Sequence, residues 1–367
     1  MSDNRRVYRT IFAHLRQLYP KNAKGRTIQH LNTLAGLTAG IVQGKSCQLP
    51  TIARKVPTAA KPESRIKQYS RWTQNEQIGQ ATYYLPYVDE LLKYLASTQK
   101  LVFIIDGSEV GDDCITLMIS LFYRKRAIPI TWLVVKGKKG HLPEGTHLRL
   151  LKQLQAVLPE NSECVLLGDG EFDGIGLLKA LQDSRWQYAC RTAKNTQVFE
   201  DGTQFELSDL TVMPDDQIAI PDVGFTLEGY GPVTVMAIWE QDYKEPIYLV
   251  TNFELPDEAW YWYKKRFQIE TFFGDEKSRG FYLQKSHLAN PNRLARLMIA
   301  ACLAYLWIIY LGVTAIQTGY DKLIHRTDRS DWSIFRMGLA FLDYCLNEAF
   351  TLPISFCLLN IKQPGDQ

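Results

Sequence analysis

Four side chains near residue 270 fall at offsets that a helix would align. In YKKRFQIETFFGDEK, Tyr263, Arg266, Glu270 and Lys277 follow the spacing Tyr-x2-Arg-x3-Glu-x6-Lys. On an ideal helix these offsets keep all four within roughly 60° of arc. A carboxylate flanked by two cations and a phenol suits a metal ion beside a phosphodiester. The carboxylate would hold the metal, and the cations and hydroxyl would hold phosphate oxygens. The same stripe can also be an ordinary ion-paired surface. Its rarity by chance, on the order of one in a few hundred chains of this length, weighs toward chemistry.

The stripe resembles the Tyr-Arg-Glu-Lys signature of the IS-four family of bacterial DDE transposases, and it matches in residue type and spacing. The approach EPIYLVTNFELPDEAWYWYKKRFQIE is also similar to that family: a strand, a short polar link, then the catalytic helix. LVFIIDGSE, with Asp106, and CVLLGDGEFDG, with Asp169, fit two further family blocks. The resemblance implies an insertion-sequence transposase that cuts double-stranded DNA at the inverted repeats of transposon ends and joins them to target DNA. It implies a homodimer on paired ends. It accounts for the 101-residue step from Asp169 to Glu270 by an insertion domain, and it places Arg191 and Lys194 of ACRTAK against DNA.

Asp106, Asp169 and Glu270 would form one ligand set. A lone Asp after an apolar strand is usually a turn or a helix cap; two of them joined to the stripe reverse that weighting. Three carboxylates can hold two divalent ions about 3.5–4 Å apart. Oxygen-only ligands favour Mg²⁺, with Mn²⁺ as a substitute. Glu109, Asp112, Asp113, Glu171 and Asp173 are neighbouring acids, and Glu171 and Asp173 read as first-turn residues of a helix. Two other readings stand beside the transposase. One is a nuclease of the same fold, and the other is a catalytically inactive DNA-binding descendant, against which the intact triad speaks.

The elements that must position these residues follow from pattern. LVFIID reads as a buried strand. CITLMISLFY and AIPITWLVVK flank the turn RKR as a hairpin. A helix over 145–158, the strand ECVLLGD, the helix GIGLLKALQDS and the strand WQYACR follow. This β-β-β-α-β-α-β order, closing on a helix, resembles the RNase H-like fold. There the strands of Asp106 and Asp169 are parallel neighbours, with both aspartates at the carboxyl ends of their strands, where an open α/β sheet places its site. The expected fold is therefore α/β: an RNase H-like core interrupted by a β-rich insertion, behind an N-terminal helical DNA-binding domain. The expected boundaries are 1–95 for the basic helical domain, 96–194 for the first part of the core and 195–245 for the insertion. The second part of the core, with the catalytic helix, spans 246–320, and a C-terminal helical segment spans 321–367.

Charge is uneven along the 367 residues. Residues 1–85 hold 14 Lys/Arg against 3 Asp/Glu, a net of +11, and the remainder carries −8. Such asymmetry suggests a polyanion-binding arm beside a carboxylate-rich core. Arg65, Lys67 and Arg71, near Tyr69 and Trp72, are its candidate DNA contacts. Lys136, Lys138 and Lys139 in VKGKKG read either as phosphate contacts or as solvated charges. The segment 200–245 holds 11 Asp/Glu and one Lys, a poor surface for DNA. Trp239 within it reads as a core residue or as a base-stacking one.

Several classes are excluded or disfavoured. GIVQGKS lacks the first glycine of a phosphate loop, because Ala39 stands there. His141 and His147 read as a loop and helix start, not a ligand pair. Seven scattered cysteines without a CxxC pair suggest a reduced compartment, and the polar start MSDNRRVYRTIFAHL reads as no signal peptide. A cytoplasmic, nucleoid-associated protein is expected. The run 297–316 is twenty residues without a charge, long enough for a membrane span. Its place behind the stripe makes it a buried core helix in this reading, with no membrane partner.

Overall fold

The computed structural model describes residues 2–19, 24–140, 142–277, 279–327 and 331–358. Six helices come first: α1 (Asp3–Gln17), α2 (Arg26–Gly44), α3 (Leu49–Lys55), α4 (Pro62–Gln74), α5 (Gln80–Tyr83) and α6 (Asp89–Ala96). The α/β region follows as β1 (Leu101–Gly111), β2 (Cys114–Tyr123), β3 (Arg126–Lys136), α7 (Glu144–Gln155), β4 (Cys164–Gly168), α8 (Ile175–Asp183) and β5 (Gln187–Thr192). Next are β6 (Gln197–Glu200), β7 (Thr203–Glu206), β8 (Asp216–Phe225), β9 (Tyr230–Trp239) and β10 (Ile247–Thr251). The chain then runs through α9 (Pro256–Tyr263), α10 (Gln268–Glu276), α11 (Pro291–Gln317), α12 (Asp321–Ile324) and α13 (Ile334–Asn347).

The strands form one mixed sheet in the order β3-β2-β1-β4-β5-β10-β9-β8-β6-β7. The β2–β3 hairpin turns on Arg124 and Lys125, both at positive φ (49° and 59°), the sign a type I′ turn needs to match strand twist. β1 and β4 are parallel, with Leu101 opposite Cys164 and Ile104 opposite Leu167. Extending that register brings Asp106 level with Asp169. Asp106 does not end its strand, however. β1 continues to Gly111 because it stays paired with β2 through Glu109 opposite Ile115. The shorter β4 sets where the sheet opens.

The β-rich stretch 195–245 continues this sheet instead of forming a separate body. β9 pairs with β10 from Thr234 opposite Thr251 to Ile238 opposite Ile247, and β8 pairs with β9. Trp239 ends β9 half-buried, its indole N–H donating to the Tyr243 carbonyl at 3.0 Å.

Helices cover both faces of β3. Thr131 donates to Gln153 of α7 at 3.4 Å, while the Trp132 indole donates to the Ala295 carbonyl of α11 at 3.0 Å. Adjacent strand residues point to opposite faces, so α7 and α11 lie on opposite sides. β3 is also an edge strand, whose open backbone would invite pairing. Gln80 of α5 closes it: its amide donates to the Trp132 carbonyl at 2.8 Å and accepts from the Trp132 amide at 3.2 Å.

α11 is the apolar run of the sequence. It is long and apolar enough to cross a membrane, but 83% of its most apolar window is buried inside the protein. It packs on α2, α4, α13 and β3. Arg293 and Arg296 at its start donate to Ser70, the Thr73 hydroxyl and carbonyl, and the Ile78 carbonyl, which ties the N-terminal helices to it. Against α13 the backbones touch. A Cβ at Gly338 would overlap the Ile308 carbonyl, and one at Gly312 the Ile334 carbonyl, so only glycine permits this crossing. An Ile308→Asp substitution would leave an unpaired charge among buried side chains, at a cost of about 3–5 kcal/mol. It should therefore unfold the protein, read as loss of the cooperative circular-dichroism melt, whereas a lipid-facing helix would keep that melt in detergent.

Two carboxylates at the end of α10 are buried without hydrogen-bond partners: Asp275 and Glu276. Burial, then the neighbouring Asp275 charge, pushes Glu276 up to about 8; burial pushes Asp275 up to about 6 against the pull of Arg279. A carboxyl raised in the folded state keeps its proton longer there than in the unfolded chain. Its stabilising contribution is full below the ordinary value of 4.5 and is lost as pH rises through about 8. Melting temperature should therefore fall across that window. Glu276→Gln should flatten the slope and melt above the native protein at about pH 9; an unchanged slope would show that Glu276 titrates normally.

Candidate functional site

The site opens where β4 ends and β1 runs on. Asp106, Gly107, Ser108, Lys139, Asp169, Arg266, Glu270, Phe273, Gly274 and Lys277 line one cleft of about 490 Å³. Sequence-distant carboxylates and cations thus meet, because the parallel β1–β4 pair sets two aspartates side by side and α10 crosses over them.

Asp106 is the buried member, its side chain only 2% exposed. One carboxylate oxygen, Oδ1, accepts from the Gly107 amide at 2.7 Å and faces Lys139 Nζ at 3.0 Å. The other, Oδ2, faces Arg266 Nη1 at 4.0 Å. Burial raises its pKa; Lys139 and Arg266 pull it back, and Asp169 adds to the rise. Asp169 begins the loop after β4, its Oδ1 accepting from the Glu171 amide at 3.0 Å.

The stripe does not lie on one regular helix. α9 ends at Tyr263, a 3-10 turn spans Lys264–Phe267, and α10 begins at Gln268. Lys277 caps α10 at φ −96°, ψ −94°. The expected 60° face is therefore broken twice, yet Arg266, Glu270 and Lys277 still reach the cleft, because the tighter turn rotates α10 relative to α9. Arg266 Nη2 donates to Glu270 Oε1 at 3.3 Å. The buried Arg266 guanidinium lies 4.5 Å from the Phe267 ring centroid and 5.9 Å from that of Tyr263, while its Nε has no partner. Tyr263 does not line the cleft. It is buried, stacked on Trp260 at 5.8 Å. Burial raises its phenol, and Arg266 and Arg191 oppose that. Burial also lowers Lys277.

Other expected contacts are placed less directly. Arg191 is exposed on β5, and Lys194 is exposed in the loop beyond it; neither lines the cleft. On α4, Lys67 and Arg71 are exposed, while half-buried Arg65 donates to the Val56 carbonyl and so also serves the fold. Glu171 and Asp173 precede α8 and are not its first turn, because Gly174 caps that helix. Glu171 has a different task. Its carboxylate accepts from the Gly140 and Leu142 amides at 3.1 and 3.2 Å. His147 Nε2 stands 3.7 Å away, an electrostatic contact too long for a hydrogen bond. Burial would raise Glu171, but His147 and the two amides hold it below its ordinary value. His141 lies outside the described residues.

Among the described residues, no three His, Cys, Asp or Glu groups are gathered closely enough to hold one metal ion as they stand. The donor chemistry nonetheless fits a divalent cation: three carboxylates line one cleft, with cations standing among them. Lys139 and Arg266 attend Asp106, and Arg266 reaches Glu270. Sequence reasoning left Lys139 open and missed the Glu171 clamp. The sequence signal for Lys139 was a pair of lysines set between Gly137 and Gly140; the Glu171 clamp, made to backbone amides, had none.

A family model described as a transposase DDE domain matches residues 98–307, which includes every carboxylate above. The protein is also similar to a piggyBac transposase solved by cryo-EM in a synaptic complex with hairpin DNA. The identity is 11% and the TM-score 0.46, covering 99% of this chain and 84% of that one. A search of curated protein sequences finds no match. With more than half its length within the matched domain, the chain belongs to the transposase DDE domain family and is a DDE transposase.

Proposed function

We propose that this transposase is of the insertion-sequence, IS-four type. An RNase H-like core would cut double-stranded DNA at transposon-end inverted repeats and join the ends to target DNA. The observation that carries this reading is the convergence of Asp106, Asp169 and Glu270 with Arg266 and Lys277 on one cleft. The strand order β3-β2-β1-β4-β5 supports the RNase H-like core. The helices before β1, with their excess of Lys and Arg, support an N-terminal DNA-binding unit. A homodimer on two paired ends would complete the complex, in the cytoplasm beside the chromosome.

In this reading Asp106, Asp169 and Glu270 would hold two Mg²⁺ ions, for which Mn²⁺ could substitute; when bound, such ions would supply Lewis-acid assistance to an attacking and a leaving oxygen. The chain's own residues do the rest. Arg266, its guanidinium lying over the Phe267 and Tyr263 rings, grips phosphate. Lys277 does the same from the far end of α10. Tyr263 acts behind them by fixing the Arg266 plane. Arg191, Lys194, Arg65, Lys67 and Arg71 contact the duplex outside the cleft.

Two experiments test this. Asp106→Ala, Asp169→Ala and Glu270→Ala should each abolish Mg²⁺-dependent nicking of end-sequence DNA while the protein still folds and shifts that DNA in gels. The losses should not add, because the three build one site. Arg266→Ala and Lys277→Ala should slow nicking while metal still binds. Full cleavage by Glu270→Ala would refute the assignment.

Joint replacement of Lys67 and Arg71 by Ala in the full chain should weaken duplex binding. It should also reduce the slope of log affinity against log salt by about 2, one for each phosphate no longer neutralised. An unchanged slope would remove α4 from the interface.

A further inference from the structure

The cleft holds three carboxylates and three cations: Lys139, Arg266 and Lys277 against Asp106, Asp169 and Glu270. Its charges therefore already balance without any ion from solution. A divalent cation that used Asp106 Oδ1 would have to displace Lys139 from it. The three cations differ in their freedom to move. Arg266 is buried to 7% exposure and stacked on two rings. Lys277 is half-buried, fixed to the end of α10. Lys139 is 46% exposed, on a loop and not a helix or strand.

That loop is held in a particular way. Gly137 at φ 151° and Gly140 at φ 80° flank Lys138 and Lys139, conformations that side-chain-bearing residues rarely adopt. Beyond the lysines, the loop's backbone is anchored by Glu171, whose two carboxylate oxygens take the Gly140 and Leu142 amides. Glu171 in turn donates its own amide to Asp169. The anchor grips the loop through backbone amides and not through the Lys139 side chain. Its stem passes beside Gly107, where a Cβ would stand 4.0 Å from Lys139 Cγ, and its ammonium ends 3.0 Å from Asp106 Oδ1.

We propose that Lys139 is a displaceable counter-cation of the active site: it competes with the divalent ion for Asp106 and must move off that carboxylate before the ion can bind there. Lys139 would then act as a positioning residue, acting through Asp106. It orients a buried carboxylate, and it sets the metal concentration at which the site loads. The inference rests on Asp106 being a metal ligand.

The test measures Mn²⁺ binding to the full-length protein by calorimetry, without DNA and without turnover. Lys139→Gln should bind Mn²⁺ about fivefold more tightly than the native chain, the equilibrium cost of breaking a half-exposed ion pair. Lys139→Arg, which keeps the competing charge, should stay within about twofold of native. A side chain that merely supports the loop would, when replaced by Gln, leave affinity unchanged or weaken it, and either result overturns the proposal. Asp106→Ala separates the competition from the ligand role beneath it. If it weakens Mn²⁺ binding while Lys139→Gln does not tighten it, the competition is refuted and the metal site stands. If Asp106→Ala binds as well as native, the ligand role of Asp106 falls, and the competition with it.

Discussion

The structure of the site follows from one constraint: an aspartate buried within an apolar strand. Asp106 sits between Ile105 and Gly107 in β1, at 2% exposure. A charge there is too costly to leave unpaired. Every neighbouring irregularity supplies compensation. Gly107 offers its amide, the loop after β3 brings Lys139, and the 3-10 turn between α9 and α10 brings Arg266 inward. The break in the helix is thus tied to the electrostatics of the strand beneath it.

The sheet and α11 hold these parts in register. β4 ends at Gly168 while β1 runs on to Gly111, which opens the sheet beside Asp106 and Asp169. α11 packs beneath the same strands, its Ala295 carbonyl accepting from the Trp132 indole of β3. It is apolar all round, so it must be enclosed, and enclosing it recruits α2, α4, α13 and β3. The N-terminal helices are consequently part of the same packed body as the cleft, linked through Arg293 and Arg296. A DNA duplex gripped by α4 would be gripped by something rigidly joined to the catalytic region. The acidic stretch 200–245 extends the sheet on the far side of β10.

Much of this is legible in the sequence. Apolar runs of strand length bounded by turns located β1 to β5, because strands covered on both faces must be continuously hydrophobic. The spacing of Arg266, Glu270 and Lys277 carried information that survived a broken helix, since all three still face one cleft. The charge asymmetry between residues 1–85 and the rest is a property of sequence alone, as is the length of the apolar run at 297–316. Membership of the transposase DDE domain family was also legible from the motifs around Asp106, Asp169 and Glu270.

Other features depended on contacts between distant segments, which no local pattern encodes. Whether 297–316 was enclosed was decided by the helices around it. Where β1 ended was decided by β2, whose pairing carries the strand past Asp106. Glu171 looked like a helix-dipole residue; it became a clamp because the loop after β3 passes within reach of its carboxylate. Lys139 could have been solvated. Its role was decided by a buried charge 33 residues earlier, since a long flexible cation goes to the least-solvated carboxylate within its reach. Sequence alone determined which residue types and local periodicities were available to this protein. Tertiary structure decided which charges would meet, because burial sets the cost of leaving each one unpaired.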